Sequence, residues 1–187
     1  EEAMDQIYGI IPPVVTPFRE DDSIDEGAFR NEINYMIETA KVHGVAVTGS
    51  TGEGHTLTDD EVRLLTQWAV EEANGRVPVI TGIITDSTKS AIERGKAVAD
   101  LGPVALQVTP VHYLFRPDDD AMVRHFEALC EGTGLSVMIY NVVPWTYLSP
   151  GLLTRIIDNV EGVVGVKQSA GDMKLLADLL LMAGDRA

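Results

Sequence analysis

Six short runs of apolar, largely β-branched residues punctuate the chain: Gly9–Val15, Gly44–Thr48, Val77–Thr81, Ala105–Thr109, Ser136–Tyr140 and Val163–Lys167. They are nearly continuous in apolar residues rather than alternating, which is the pattern of parallel strands covered on both faces. Between them lie amphipathic stretches: Phe29, Ile33, Met36 and Ala40 fall at helical spacing, as do Val62, Leu65, Ala69 and Ala73. Thr58 with Glu61 forms a predicted capping box. Asp25, Ser87 and Ser149 (followed by Pro150) are predicted N-caps, and Gly44, Gly75, Gly102, Gly134 and Gly162 predicted stops. Six strands, each followed by a helix, make an α/β chain with no internal linker.

Two architectures satisfy that alternation, a doubly wound open sheet and part of a (β/α)8 TIM barrel. Strand starts recur about every 30 residues, which suits both. A closed barrel takes about 250 residues. On the barrel reading residues 1–187 form a single domain of about six β/α units. It lacks the last strands and C-terminal helices, stopping just after a helix predicted over Asp172–Met182.

Composition narrows the function classes. With 14 Lys+Arg against 29 Asp+Glu the net charge is −15, so no basic stripe exists for nucleic acid. Cys130 is the single cysteine, which excludes a disulfide scaffold, and no run approaches the roughly 18 apolar residues of a membrane span. The opening Glu1-Glu2-Ala3-Met4-Asp5 is acidic where a signal peptide is basic, so the chain reads as a soluble cytoplasmic protein. At 45% hydrophobic residues it has ample material for a core. The acidity repels anions at long range, so an anionic substrate has to be held by local donors.

In parallel α/β folds the chemistry gathers where strands end, and three strand ends carry reactive groups. Lys167 closes Val163-Val164-Gly165-Val166-Lys167, whereas Lys41, Lys89, Lys96 and Lys174 fall in polar helical stretches. Desolvation at the end of a buried run favours the neutral amine that a Schiff-base lysine requires; the alternative is a lysine that reaches out to a nearby carboxylate. Tyr140, followed by Asn141, closes the fifth run. Its phenol is either a proton relay or a half-buried tyrosine with its hydroxyl in water. The turn Gly49-Ser50-Thr51-Gly52-Glu53-Gly54 lets successive N–H groups and two hydroxyls converge on an anion such as a carboxylate, or serves packing alone. It is not a P-loop, because His55 stands where the phosphate-binding lysine is needed, and its glycines miss the Gly-x-Gly-x-x-Gly spacing.

Other groups read as structural. His43, His55, His112 and His125 lack ligand-like spacing, so no metal site is expected. Asp118-Asp119-Asp120 after Pro117 reads as a helix start, and Cys130 as a small core residue.

Taken in order, Gly49-Ser50-Thr51-Gly52-Glu53, Tyr140-Asn141 and Gly165-Val166-Lys167 resemble the dihydrodipicolinate synthase / N-acetylneuraminate lyase family. Gly9-Ile10-Ile11-Pro12-Pro13-Val14-Val15-Thr16-Pro17-Phe18 is similar to that family's first strand, and Val108-Thr109-Pro110 to its fourth. The resemblance implies a (β/α)8 barrel, usually a homotetramer built from dimers, and a class I, lysine-dependent aldolase or lyase. It implies that Lys167 forms an imine with pyruvate or a related 2-oxo acid and that Tyr140 shuttles protons. By the same resemblance Ser50 and Thr51, flanked by Gly49 and Gly52, hold the oxo-acid carboxylate, and no cofactor, metal or nucleotide is required. An aldehyde is the second substrate.

The chain also departs from the family pattern. Tyr140-Asn141-Val142-Val143-Pro144-Trp145-Thr146-Tyr147 lacks the arginine that dihydrodipicolinate synthases place at the site mouth, and Trp145 and Tyr147 offer aromatic surface instead. The family's second tyrosine, given across the dimer interface, has His112 at its position and Tyr113 one residue further on, with Arg116 nearby. Four functions follow as expectations. They are a lyase or aldolase on pyruvate or a sugar-derived 2-oxo acid, dihydrodipicolinate synthase proper, a dehydratase or decarboxylating enzyme using the same imine, and a non-catalytic 2-oxo-acid sensor.

Overall fold

The computed structural model describes residues 7–186; the acidic opening Glu1–Asp5 lies outside the described residues. Strands β1 (Val45–Val47), β2 (Val79–Ile83), β3 (Ala105–Val108), β4 (Val137–Asn141) and β5 (Val163–Gln168) pair in chain order, every neighbour parallel. The predicted first strand, Gly9–Val15, is corrected to a single parallel bridge, Pro13 to Ala46. Pro12 and Pro13 have no N–H to give to a ladder. The segment still lies along β1 through His43 N–H to Ile10 O (2.8 Å), Ala46 N–H to Pro12 O (3.0 Å) and Val14 N–H to Ala46 O (2.9 Å).

Among the described residues six helices cover the outside: α1 (Glu26–Asn34), α2 (Asp59–Ala73), α3 (Thr88–Lys96), α4 (Asp119–Thr133), α5 (Pro150–Asn159) and α6 (Met173–Ala183). Asp25, Thr58, Ser87, Asp118, Ser149 and Asp172 cap their N-termini with side-chain oxygens, and Thr58 and Glu61 form the full capping box. The predicted stops need more correction. Gly134 caps α4 in the left-handed conformation and Gly102 ends a short 3₁₀ turn, Ala99–Leu101. By contrast α2 ends on Asn74 at φ 47°, and α5 on Val160 ahead of Gly162. Beyond α1 the chain runs on as a π turn, Tyr35–Thr39, that ends at Ala40 before Gly44 is reached. The wider turn moves the buried stripe, so Ile37 takes the inward place expected of Ala40, which is exposed.

A doubly wound sheet reverses its strand order at a switch point. No reversal occurs between β1 and β5, so repeated βα crossovers of one hand curl the sheet into an arc of a (β/α)8 barrel. Val45, Val47, Leu106, Val108, Val137 and Ile139 face the helices and join Phe29, Ile33, Leu65, Phe126 and Leu153 in one core. Each fully buried large side chain there contributes about 1.5–3 kcal/mol. The alternate residues Ala46, Ile80, Gln107, Tyr140 and Lys167 fall on the inner face of the arc, where strand periodicity places them. No helix among the described residues is long and apolar enough to cross a membrane.

Candidate functional site

Two expected residues meet at the C-terminal ends of β4 and β5. Tyr140 and Lys167 are register partners, which puts both on the inner face. Tyr140 is buried and Lys167 half-buried, with Lys167 Nζ standing 4.3 Å from the centroid of the Tyr140 ring. Among the described residues no carboxylate pairs with this lysine. Lys167 also lines a cavity of about 420 Å³, together with Ile7, Tyr8, Gly9, Ile11, Ala46, Ile80, Gln107 and Met138. A lysine whose amine rests on a phenol ring and which lines a cavity of this volume has room beside it for a small carbonyl compound.

Asn141, next to the tyrosine, has a structural task. Its Nδ2 donates to Leu148 O (3.1 Å) and Gln168 Oε1 (2.9 Å), and its Oδ1 accepts from Leu148 N–H (2.9 Å). These bonds close the loop 142–148 over the ends of β4 and β5.

The loop after β1 is built by close contacts. Thr48 sits at φ 55°, rare for a β-branched residue, and its hydroxyl donates to Gly82 O at 2.9 Å. A side-chain carbon on Gly54 would collide with the Thr48 carbonyl, and one on Gly52 would stand 2.8 Å from Val14 O. Thr16 fastens the loop from the first segment, donating to Gly52 O at 2.7 Å. Gly54 N–H to Gly49 O and Glu53 N–H to Ser50 O close the turn at 3.0 and 3.1 Å. Among the described residues the amides of Ser50, Thr51 and Gly52 have no protein acceptor. Both hydroxyl residues are exposed, so three N–H groups and two hydroxyls are free for an anion.

Arg94 of α3 braces the same loop. Its guanidinium bonds to Asp59 (2.6 Å) and donates to Leu57 O (3.2 Å), Gly54 O and Ile84 O (both 3.3 Å). It ties the loops after β1 and β2 into one block.

His112, Tyr113 and Trp145 lie on the rim. None of the three lines the cavity around Lys167. His112 is turned aside, with Nδ1 2.9 Å from Pro110 O and Nε2 3.2 Å from Asp86. Trp145 Nε1 donates to His112 O at 2.6 Å, which clips the loop after β4 to the loop after β3. Tyr113 is 69% exposed. Arg116 bonds Asp119 in the first turn of α4, at 2.7 Å, and so serves the loop rather than an entrance.

Sequence reasoning passed over Gln107. It stands within an apolar run and is 3% exposed, with its side chain in the cavity of Lys167. The available signal was an amide at an inward position of an otherwise apolar strand.

Comparison with known proteins gives the family of the chain. Residues 6–187 match the dihydrodipicolinate synthetase family, and the chain belongs to it. The 4-hydroxy-tetrahydrodipicolinate synthase of Salinibacter ruber is 36% identical over 181 residues, covering 95% of this chain and 59% of the relative. A dihydrodipicolinate synthase from Acinetobacter baumannii, chloride-inhibited and complexed with pyruvate, superposes with a TM-score of 0.84 at 30% identity, covering 92% of this chain and 59% of that one. The Clostridium difficile protein CdNal, complexed with mannosamine, gives a TM-score of 0.83 at 26% identity, with 91% and 59% covered. The chain therefore spans about 59% of the length of these relatives.

Proposed function

We propose that the chain carries the Schiff-base centre of a class I lyase or aldolase acting on pyruvate or a related 2-oxo acid. Lys167, with its amine on the face of Tyr140 and its side chain lining a cavity, is the observation that carries this reading. The pyruvate complex of the Acinetobacter baumannii relative supports the choice of a 2-oxo acid.

The chemistry follows from the groups present. The neutral amine adds to the keto carbon, and loss of water gives an iminium. Tyr140 supplies a proton to the departing oxygen and recovers it from water or substrate. The free amides and hydroxyls of Ser50 and Thr51, with Gly49 and Gly52 shaping the turn, hold the carboxylate. The iminium draws electrons, so the adjacent carbon loses a proton and becomes an enamine that adds to an aldehyde. The reverse direction releases the aldehyde. No step calls on a metal or a nucleotide.

A second reading, the 4-hydroxy-tetrahydrodipicolinate synthase reaction itself, is favoured by the name of the Salinibacter ruber relative. The loop 142–148, without an arginine, weighs towards another aldehyde. Turnover of aspartate semialdehyde against a panel of sugar-derived and aromatic aldehydes separates the two. The same reading treats residues 1–187 as one barrel domain, gives His112, Tyr113 and Trp145 to substrate binding with either His112 or Tyr113 completing the proton relay, and has the protein work as a cytoplasmic homodimer or homotetramer.

Pyruvate with borohydride is expected to leave a reduced adduct on the peptide that contains Lys167. Lys167→Ala should abolish it and Tyr140→Phe should slow its formation by about 10²-fold or more. An unchanged mass for the folded protein would refute the Schiff-base reading.

A further inference from the structure

Gln107 is a nearly enclosed residue whose amide has no hydrogen-bond partner among the described residues. It occupies the middle of β3, level with Met138 on β4, one step of the pleat below the Tyr140–Lys167 pair. At 3% exposure the side chain is largely enclosed, its amide atoms stay accessible from the cavity, and among the described residues they make no hydrogen bond. An unpaired amide that faces a cavity inside an otherwise apolar lining is available to a polar group bound there. Besides Lys167 and the exposed Tyr8, it is the one polar side chain among the described residues that line the cavity. Its other neighbour is the loop after β1: a side-chain carbon added at Gly49 would stand 3.4 Å from Gln107 Nε2. The amide thus lies between the lysine and the start of the turn whose N–H groups are free.

We infer that Gln107 is a substrate-binding residue that donates its amide N–H to the carboxylate of the 2-oxo acid, beside Ser50 and Thr51. The inference rests on the Schiff-base reading above and adds to it a donor from inside the barrel. Charge explains why a neutral donor belongs there. The chain carries −15, and among the described residues Lys167 is the one basic side chain lining the cavity. That lysine loses its charge whenever the iminium becomes an enamine, so the carboxylate must be held through the reaction by neutral donors. An amide does this without the desolvation cost of a buried cation.

The test compares pyruvate with acetone, a ketone that lacks the carboxylate, as borohydride-trapped substrates of wild type, Gln107→Leu and Gln107→Glu. Gln107→Leu should raise the half-saturating pyruvate concentration about tenfold or more, as expected for a lost bond to a charged group, and leave acetone trapping unchanged. Gln107→Glu, of the same shape but charged, should weaken pyruvate further and still trap acetone. It decides the matter on its own if the leucine variant does not fold. Equal pyruvate half-saturation in wild type and variant, or parallel loss for both ketones, would overturn the assignment and leave the lysine chemistry standing. No adduct on the wild type with either ketone would remove both.

Discussion

Among single residues, His125 shows how burial sets behaviour away from the site. Its ring is nearly enclosed, packs edge-on against Phe126 and has Nδ1 2.9 Å from the Thr88 hydroxyl; Nε2 has no partner among the described residues. Burial alone pulls its pKa from 6.5 down to about 4. In the unfolded chain the ring takes its proton near pH 6.5, while the folded ring resists until about pH 4. Stability from this residue is therefore complete above pH 6.5 and lost as the pH falls towards 4, a swing of about 3 kcal/mol at most. Urea unfolding across that window should show a steeper loss for wild type than for His125→Leu; parallel profiles would contradict a neutral, buried ring. Cys130 is held inert by the same physics, its thiol pushed up to about 11 chiefly by burial.

Elements carry the next level of argument, and the loop after β1 is the clearest case. Its shape is imposed from three sides. Thr16 grips Gly52 O, the left-handed Thr48 turns the chain out of the strand, and Arg94 bonds Gly54 O, Leu57 O and Asp59 from α3. Arg94→Met keeps the aliphatic stem but leaves three partly buried carbonyls without their donor. It should cost about 2–3 kcal/mol in chemical denaturation. Because the loop that bears Ser50 and Thr51 is loosened, pyruvate half-saturation should rise as well. Arg94→Lys cannot span the same partners and should recover little of either loss. Wild-type stability and trapping in Arg94→Met would show that the loop holds its own shape.

At the scale of the molecule the arc has two open sides. Among the described residues nothing pairs with the outer edge of β5, and the bridge at Pro13 leaves the segment before β1 equally unpaired outward. On α6, Leu180 is 60% and Leu181 87% exposed. Unpaired parallel edges beside apolar helix faces favour association. The chain as given should sediment as species heavier than its 20.3 kDa, with a concentration-dependent distribution. A single monomer across a hundredfold dilution would mean that the edges are protected by some other means.

How much was legible in the sequence follows from which forces are local. Strand runs, caps at Thr58 and Ser149, the aspartate start of α4 and the inert Cys130 depend on periodicity and neighbours a few residues away. Boundaries set by distant contacts were harder to read: the π turn after α1 moved the buried stripe to Ile37, and two prolines reduced the first strand to a bridge. The site divided in the same way. The candidate residues Lys167, Tyr140 and the Ser50–Thr51 turn stand out in the sequence at strand ends, whereas the proposed Gln107 looks like one more residue of a buried run.

The sequence by itself determined the α/β alternation and the reactive strand ends, since apolar periodicity and turn chemistry are written in short stretches of chain. Tertiary structure alone decided that the sheet curls one way without reversing, that the lysine rests on the tyrosine ring, and that an inward amide shares its cavity. Those outcomes depend on strand order and register, which bring together residues far apart in the chain.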